Sequence, residues 1–351
     1  MGTYRHVRVS GSPFELGRGH GDQAGDLIRR FVDRLVDGLR ARRGVAREKI
    51  LERTLGFLPM YEQFAPHLVE EIRGVAAGAR ITFAEALLCN VRGEVGARLD
   101  GGPDGGCTAF ALGRRVTAGG EVLAGQNSDQ DATARDVSIV LSIEPRSGGP
   151  SITMFTHAGE IGYHGFNTAG VAVFANSLPP TPRRPGMPHY LMKRVMLEQT
   201  GVDACLAVLR RARVASPGNY VLADRSGRTL DVELTPGRAA LVEGRDDYVV
   251  HANHYEHPDL EQFNAGEPRL ERSTCRSARL GAIVAEAYGR VTVDTLKAAL
   301  SDHADGPATI CGHDPDYLTT VASLIAEPDH GRFHVSYGNP CQGGYAVYLM
   351  P

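Results

Sequence analysis

The sequence predicts an α+β protein in which stacked sheets are covered by helices on both sides. Two blocks of strand-like runs alternate with two blocks of helical pattern. The strand-like runs are short and separated by Gly, Pro and Asp turns. A chain of 351 residues is long enough for one large core or two ordinary ones.

Residues 13–94 read as helical for most of their length. Ser12 and Pro13 form a start signal, and Leu27, Phe31, Leu35 and Leu39 recur at a helical spacing. Further helical patterns cover residues 47–61, 65–77 and 82–90. The sharpest break is LDGGPDGG at 99–106, which reads as a surface loop. From Cys107 the runs CTAFAL, EVLAGQN, VSIVLSI, SITMFTH and GVAVFAN read as strands. Helical signals return at 190–199 and 202–213, and a second strand cluster spans 219–253. Helices are expected again at 269–288 and 293–300, and the chain closes on TTVASLIAE, RFHVSYG and GYAVYLM.

Hydrophobic content of 42% and charged content of 23% fit a folded globular chain. A net charge of -3 with both signs interspersed gives no case for nucleic acid or an acidic membrane as partner. Apolar runs such as residues 171–175 are too short to span a bilayer, and MGTYRHVRVSGSPFELG lacks the apolar core of a secretory signal. A cytoplasmic location is therefore expected. The six cysteines are scattered without a CxxC pair, so most are expected to be reduced, buried hydrophobes.

Cys107 invites a sharper reading. If the Gly106–Cys107 bond is cut, the new N-terminus carries a thiol and an α-amine on one residue. Such an amine titrates near ~7.7–8.0 and can serve as general base to its own thiol. Gly106 lets the thiol approach the preceding carbonyl, and Gly105 with Gly106 admits backbone angles closed to other residues. On its own, however, Gly-Gly-Cys favours a turn followed by a core thiol.

The tripeptide does not stand alone. GCTAF followed by GQNSD closely resembles the start of the mature catalytic chain in isopenicillin N acyltransferase-like enzymes, the acyl-coenzyme A:6-aminopenicillanic acid acyltransferase family. GFNTAGVAVFANSL, HANH at 251–254, STCRSAR, SDHADGPATICGH and SYGNPC follow in order, and the upstream LLCNVRGE is similar to the family's prosegment. The resemblance implies a four-layer αββα sandwich of the N-terminal nucleophile (Ntn) hydrolase type with a mostly helical N-terminal prosegment. Residues 1–106 would become the small chain and 107–351 the catalytic chain.

Several roles follow from the resemblance. Cys107 would be the nucleophile, and Gly106 with Cys107 the self-cleavage site. Asp129 would position the amine and thiol, Asn253 would face the oxyanion, and Arg276 would be the active-site arginine. Asn176 stands as a candidate second oxyanion donor. These roles are chemically coherent, since a carboxylate raises and orients an α-ammonium and an amide N–H aimed at the tetrahedral oxygen gives ~10²–10³ in rate. No metal or organic cofactor is needed. The implied partner is a small-molecule amide or acyl-thioester, acyl-coenzyme A included, with a heterodimer of the chain's own fragments once processed and a homo-oligomer as a further option. Gln126 departs from the arginine usual in bile-salt hydrolases, and Ala109 from the hydroxyl residue of some penicillin-biosynthetic relatives.

Other readings stand beside these. Asp129 in NSDQD is also good turn chemistry, and Arg276 and Arg279 could be helix salt bridges. An alternative enzyme never self-cleaves and takes His251 or His254 as base, and a second alternative is a catalytically silent binding homologue. His303, Cys311 and His313 are the most tempting zinc set, but their spacing fits no common motif and no HExxH accompanies them. Arg92 and Glu94 read as a helix-borne ion pair. GRGHG at 17–21 lacks the spacing of a nucleotide loop and is set aside as one.

Overall fold

Alternation along each strand sorts the apolar side chains into separate layers. The computed structural model describes residues 2–96, 106–182, 184–242, 244, 246–304, 308–314 and 318–351. It begins with a strand, Arg5–Gly11 (β1), and then the helices Pro13–Arg43 (α1), Arg47–Leu55 (α2), Leu58–Phe64 (α3), Pro66–Ala79 (α4) and Phe83–Val95 (α5). Strands Thr108–Leu112 (β2), Leu123–Gln130 (β3), Ser138–Pro145 (β4), Ile152–His157 (β5), His164–Asn167 (β6) and Ala172–Asn176 (β7) follow. Helices His189–Leu197 (α6) and Val202–Arg211 (α7) precede Gly218–Ala223 (β8), Thr229–Thr235 (β9), Arg238–Val242 (β10) and Tyr248–His251 (β11). Arg269–Glu286 (α8), Val293–Leu300 (α9), Thr319–Glu327 (β12), Arg332–Ser336 (β13) and Tyr345–Leu349 (β14) complete the chain.

The strands form an eight-stranded sheet, β1-β4-β5-β6-β7-β8-β9-β10, and a six-stranded sheet, β11-β2-β3-β12-β13-β14. Val140 of β4 points to Phe155, Phe174, Ala109 and Leu324 in the layer between the sheets. Its neighbours Ile139 and Leu141 face the other way, into a core with Ile28, Ile72, Leu87 and Leu191 from α1, α4, α5 and α6. On the far side Phe110, Leu112 and Leu123 meet Leu280, Val284 and Leu296 from α8 and α9. The order is helix, sheet, sheet, helix, as the αββα expectation has it. No helix among the described residues is long and apolar enough to cross a membrane.

The N-terminal region is more than a helical cover. β1 pairs parallel with β4, Val7 opposite Leu141, and forms one edge of the larger sheet. The GRGHG stretch lies inside α1, where it meets α4. A Cβ on Gly17 would lie 1.8 Å from the Glu71 carbonyl oxygen, and one on Gly78 would lie 2.3 Å from that of Arg18. Glycine at these positions allows the two backbones to touch, so the motif is a helix crossing. Arg92 also differs from expectation: its Nε donates to Glu160 Oε1 at 2.5 Å in a fully buried pair, while Glu94 Oε1 accepts the His189 N–H at 3.3 Å. Asn90 adds bonds to the Gly159 carbonyl (2.9 Å) and the Ile161 N–H (2.9 Å), so LLCNVRGE stitches α5 to the β5–β6 turn.

Candidate active site

Cys107 directly precedes β2, an interior strand of the smaller sheet. Antiparallel pairing sets Thr108 opposite Asn127, so the residues just before β2 run alongside the last residues of β3, where Asp129 lies. Asp129 is in turn opposite Thr320 of β12, whose Oγ1 donates to its Oδ1 at 2.6 Å. A Cβ on Gly106 would stand 2.8 Å from Asp129 Cβ and 2.9 Å from Oδ2. The missing side chain at 106 therefore leaves room for the carboxylate, a reason separate from access to the carbonyl. Gly105 and most of the 99–106 loop lie outside the described residues.

Arg276 ties the remaining groups together. From α8 its Nη1 donates to the Cys107 carbonyl and to Thr108 Oγ1, both at 2.7 Å, and its Nη2 donates to Asn253 Oδ1 at 2.8 Å. Ser273, one turn earlier on the same helix face, accepts the Asn253 N–H at 2.7 Å and bonds His254 Nδ1 at 2.9 Å. Arg279, one turn later, pairs with Asp302 at 2.7 Å. Asn253 Nδ2 donates to the Ser177 carbonyl at 2.9 Å and approaches Ser177 Oγ at 3.3 Å. Asn176 sits at the end of β7, where its Nδ2 donates to Asn219 Oδ1 at 2.9 Å and to the His251 carbonyl at 3.2 Å.

Burial sets the electrostatics. It pushes the Cys107 thiol up to about 12, with Asp129 adding to the rise and Arg276 and Lys193 opposing it. In the continuous chain this thiol is protonated at neutral pH. Asp129 is pushed up to about 6, again by burial, against the pull of Arg276 and Thr320. Lys193 is drawn down to about 8 by burial, while Glu160 and Cys107 act the other way. Its Nζ stands 4.3 Å from the Tyr163 ring centroid.

The histidines proposed as alternative bases have other partners. His251 is fully buried, with Nδ1 3.0 Å from the Ala252 carbonyl and Nε2 3.0 Å from Glu233 Oε1. Both partners are acceptors, so both nitrogens must donate and the ring is an imidazolium. Although desolvation opposes it, Asp231 and Glu233 raise the His251 pKa to about 9, which agrees. His254 is held neutral, its pKa lowered to about 4 mainly by burial.

Two cavities adjoin these residues. The larger, about 330 Å³, is lined by Gly106, Asp129, Asn253 and Arg276, with Arg269 and Arg272 on its wall. The smaller, about 100 Å³, is lined by Cys107, Asp129, Asn176, Tyr163 and Lys193, and is bordered by Arg92 and Glu94 of α5. Thr320, Ser177 and Lys193 carry no sequence signal that singles them out; Ser273 could have been read from its place three residues before Arg276. Elsewhere His303, Cys311 and His313 come together with Cys341, all four ligand atoms lying within 4.8 Å of one another. All six cysteines are free thiols, and Cys89, Cys107, Cys205 and Cys311 are buried as expected.

Residues 116–342 match the family described as acyl-coenzyme A:6-aminopenicillanic acid acyl-transferase, a match that begins just downstream of Cys107. The chain is 30% identical over 312 residues to the 40 kDa form of the acyl-coenzyme A:6-aminopenicillanic-acid-acyltransferase of Emericella nidulans, covering 87% of this chain and 84% of that one. Among solved structures it is similar to a mutant of the conjugated bile acid hydrolase of Clostridium perfringens, at 11% identity and TM-score 0.47 over 70% of this chain and 97% of that one. It is similar also to the penicillin V acylase of Agrobacterium tumefaciens, at 13% identity and TM-score 0.46 over 70% and 86%.

Proposed function

The chain belongs to the acyl-coenzyme A:6-aminopenicillanic acid acyl-transferase family, and from that membership we propose that it is a self-processing amide hydrolase or acyltransferase with Cys107 as nucleophile. The observation that carries the proposal is the Arg276 fork. One buried guanidinium holds the carbonyl of Cys107 and the amide of Asn253, the two residues whose relative placement an N-terminal nucleophile needs.

In the maturation step Cys107 Sγ attacks the Gly106 carbonyl carbon, the C–N bond breaks, and the acyl group passes from nitrogen to sulfur. Water then hydrolyses the thioester, leaving a Gly106 carboxylate and a free Cys107 α-amine. In turnover that amine takes the thiol proton, and the thiolate attacks the substrate carbonyl. An Asn253 Nδ2–H stabilises the oxyanion, and the α-ammonium returns its proton to the leaving amine. Water releases the acyl group in a hydrolase, and a second amine accepts it in an acyltransferase. Asp129, buried against Gly106, supplies the negative charge that orients the new ammonium. Asn176 joins as second donor on exchanging its 3.2 Å bond to the His251 carbonyl for substrate.

Intact mass of the purified protein tests the proposal. Fragments of 106 and 245 residues are expected from the wild-type chain, and only the 351-residue chain from Cys107→Ala, which should also lose turnover. A full-length wild-type chain that turns over amides would overturn it. A mature chain whose Cys107 resists thiol-directed electrophiles would point to the silent homologue.

A further inference from the structure

We propose that His303, Cys311, His313 and Cys341 form a closed, tetrahedral zinc site that fixes one wall of the larger cavity. None of these residues belongs to the catalytic set, and the chain spacing of the four matches no familiar motif. The fold assembles them nonetheless: His303 follows α9, Cys311 and His313 lie on the stretch leading to β12, and Cys341 sits in the turn after β13.

The distances among Cys311, His313 and Cys341 lie near those a zinc ion sets, and His303 stands close enough to close on it. With Zn–S near ~2.3 Å and Zn–N near ~2.05 Å, a tetrahedral site has an S···S edge of ~3.8 Å and S···N edges of ~3.5 Å. Cys311 Sγ and Cys341 Sγ are 3.7 Å apart, and His313 Nε2 is 3.4 Å from the first and 3.1 Å from the second. The His303 ligand atom lies within 4.8 Å of the others, and its ring centroid is 5.0 Å from that of His313. Two thiolates and two imidazoles make a soft, charge-compensating set that suits zinc and excludes calcium or magnesium. A bonded disulfide would need the sulfurs at ~2.05 Å, far from their present separation. Binding converts both thiols to thiolates and releases two protons to solvent. Four protein ligands leave no position for water, so the role is structural.

Surrounding bonds connect this site to the catalytic carboxylate. Asn339 Nδ2 donates to Cys311 Sγ at 3.7 Å and to the Gly312 carbonyl at 2.6 Å. The Gly312 N–H donates to Thr320 Oγ1 at 2.9 Å, and Thr320 Oγ1 donates to Asp129 Oδ1 at 2.6 Å. With a ligand on either side, Gly312 is held in place, and through Thr320 so is Asp129.

The test is metal stoichiometry on the whole protein after zinc loading and exhaustive dialysis. One zinc per chain is expected, retained in Cys107→Ala and reduced at least ~10-fold in Cys341→Ser. Cys341 is exposed, so serine there should leave the fold intact, as a thermal melt will verify. Cobalt(II) in place of zinc should give the thiolate-to-metal charge-transfer absorption of a tetrahedral site, weakened in Cys341→Ser. Substoichiometric zinc, undiminished binding in Cys341→Ser, loss of zinc in Cys107→Ala, or a Cys311–Cys341 disulfide in freshly purified protein would each overturn the assignment. These readouts do not depend on self-cleavage.

Discussion

Gly106→Ala should arrest maturation without unfolding the chain. An alanine Cβ at 106 would lie 2.8 Å from Asp129 Cβ and 2.9 Å from Oδ2. Non-bonded carbons rest at ~3.5–4.0 Å, so the two residues must separate by ~0.7 Å. Asp129 cannot easily yield, because it lies in an interior strand and its Oδ1 is held by Thr320 at 2.6 Å. The displacement therefore falls on Gly106 and Cys107, the two residues of the proposed scissile bond. Misplacing reacting groups by that order costs ~10²-fold in rate. The assay is a time course of intact mass after rapid purification, which needs no knowledge of the substrate. Overpacking by one methyl costs ~1–3 kcal/mol, so a cooperative melt a few degrees below wild type should persist. Cleavage within about threefold of the wild-type rate would refute the argument that the empty volume at 106 belongs to the Asp129 carboxylate.

Two other substitutions probe the same centre. Asn253→Ala should lower turnover by ~10²–10³ through loss of the proposed oxyanion donor, with some loss of stability because Arg276 Nη2 and the Ser177 carbonyl lose their partner; near-normal kcat would remove it from that role. Asp129→Asn, placed in the uncleavable Cys107→Ala chain, should stabilise the protein at pH 7.5. A carboxyl held at about 6 in the fold against ~3.9 when unfolded destabilises the folded state by ~3 kcal/mol as an anion. That cost is complete above the folded value, shrinks as pH falls through the window between the two values, and vanishes below the unfolded one, where both states are protonated. The gain in urea-denaturation free energy should therefore be large at pH 7.5 and small at pH 4. An equal gain at both pH values, or none, would contradict the assigned burial.

The layered architecture was legible because its strands are runs of β-branched and apolar residues punctuated by Gly and Pro. β1 escaped notice because its alternation, though regular, rests on two apolar residues alone, Val7 and Val9, among polar neighbours. β6 is the four residues HGFN, whose Gly and Asn argue locally against a strand. A single helical pattern at 47–61 became α2 and α3 because the chain breaks at Gly56 and Phe57, between apolar residues that keep the same spacing. At the site, Cys107, Asp129, Asn253 and Arg276 carried motif signals, and the structure joins Cys107 to Asn253 through Arg276. What sequence could not supply was the contact made across chains of intervening residues. The Arg92–Glu160 pair, the Thr320 hydroxyl on Asp129, and Cys341 beside His313 all depend on which strands the fold makes neighbours.

The edge position of β1 has a consequence for how often this molecule can fold. While the chain is continuous, delivering β1 to β4 and α5 to the Glu160 turn is an intramolecular search, favoured by a high effective concentration. If the bond before Cys107 is cut, as proposed, the same encounter becomes bimolecular. Fragments separated by denaturant must find each other at their bulk concentration while each exposes the apolar face the other had covered. The proposed cut would thus work as a ratchet on the folding reaction: the native arrangement would be reached once, as a single chain, and recovery after unfolding would become second order and slower with every dilution.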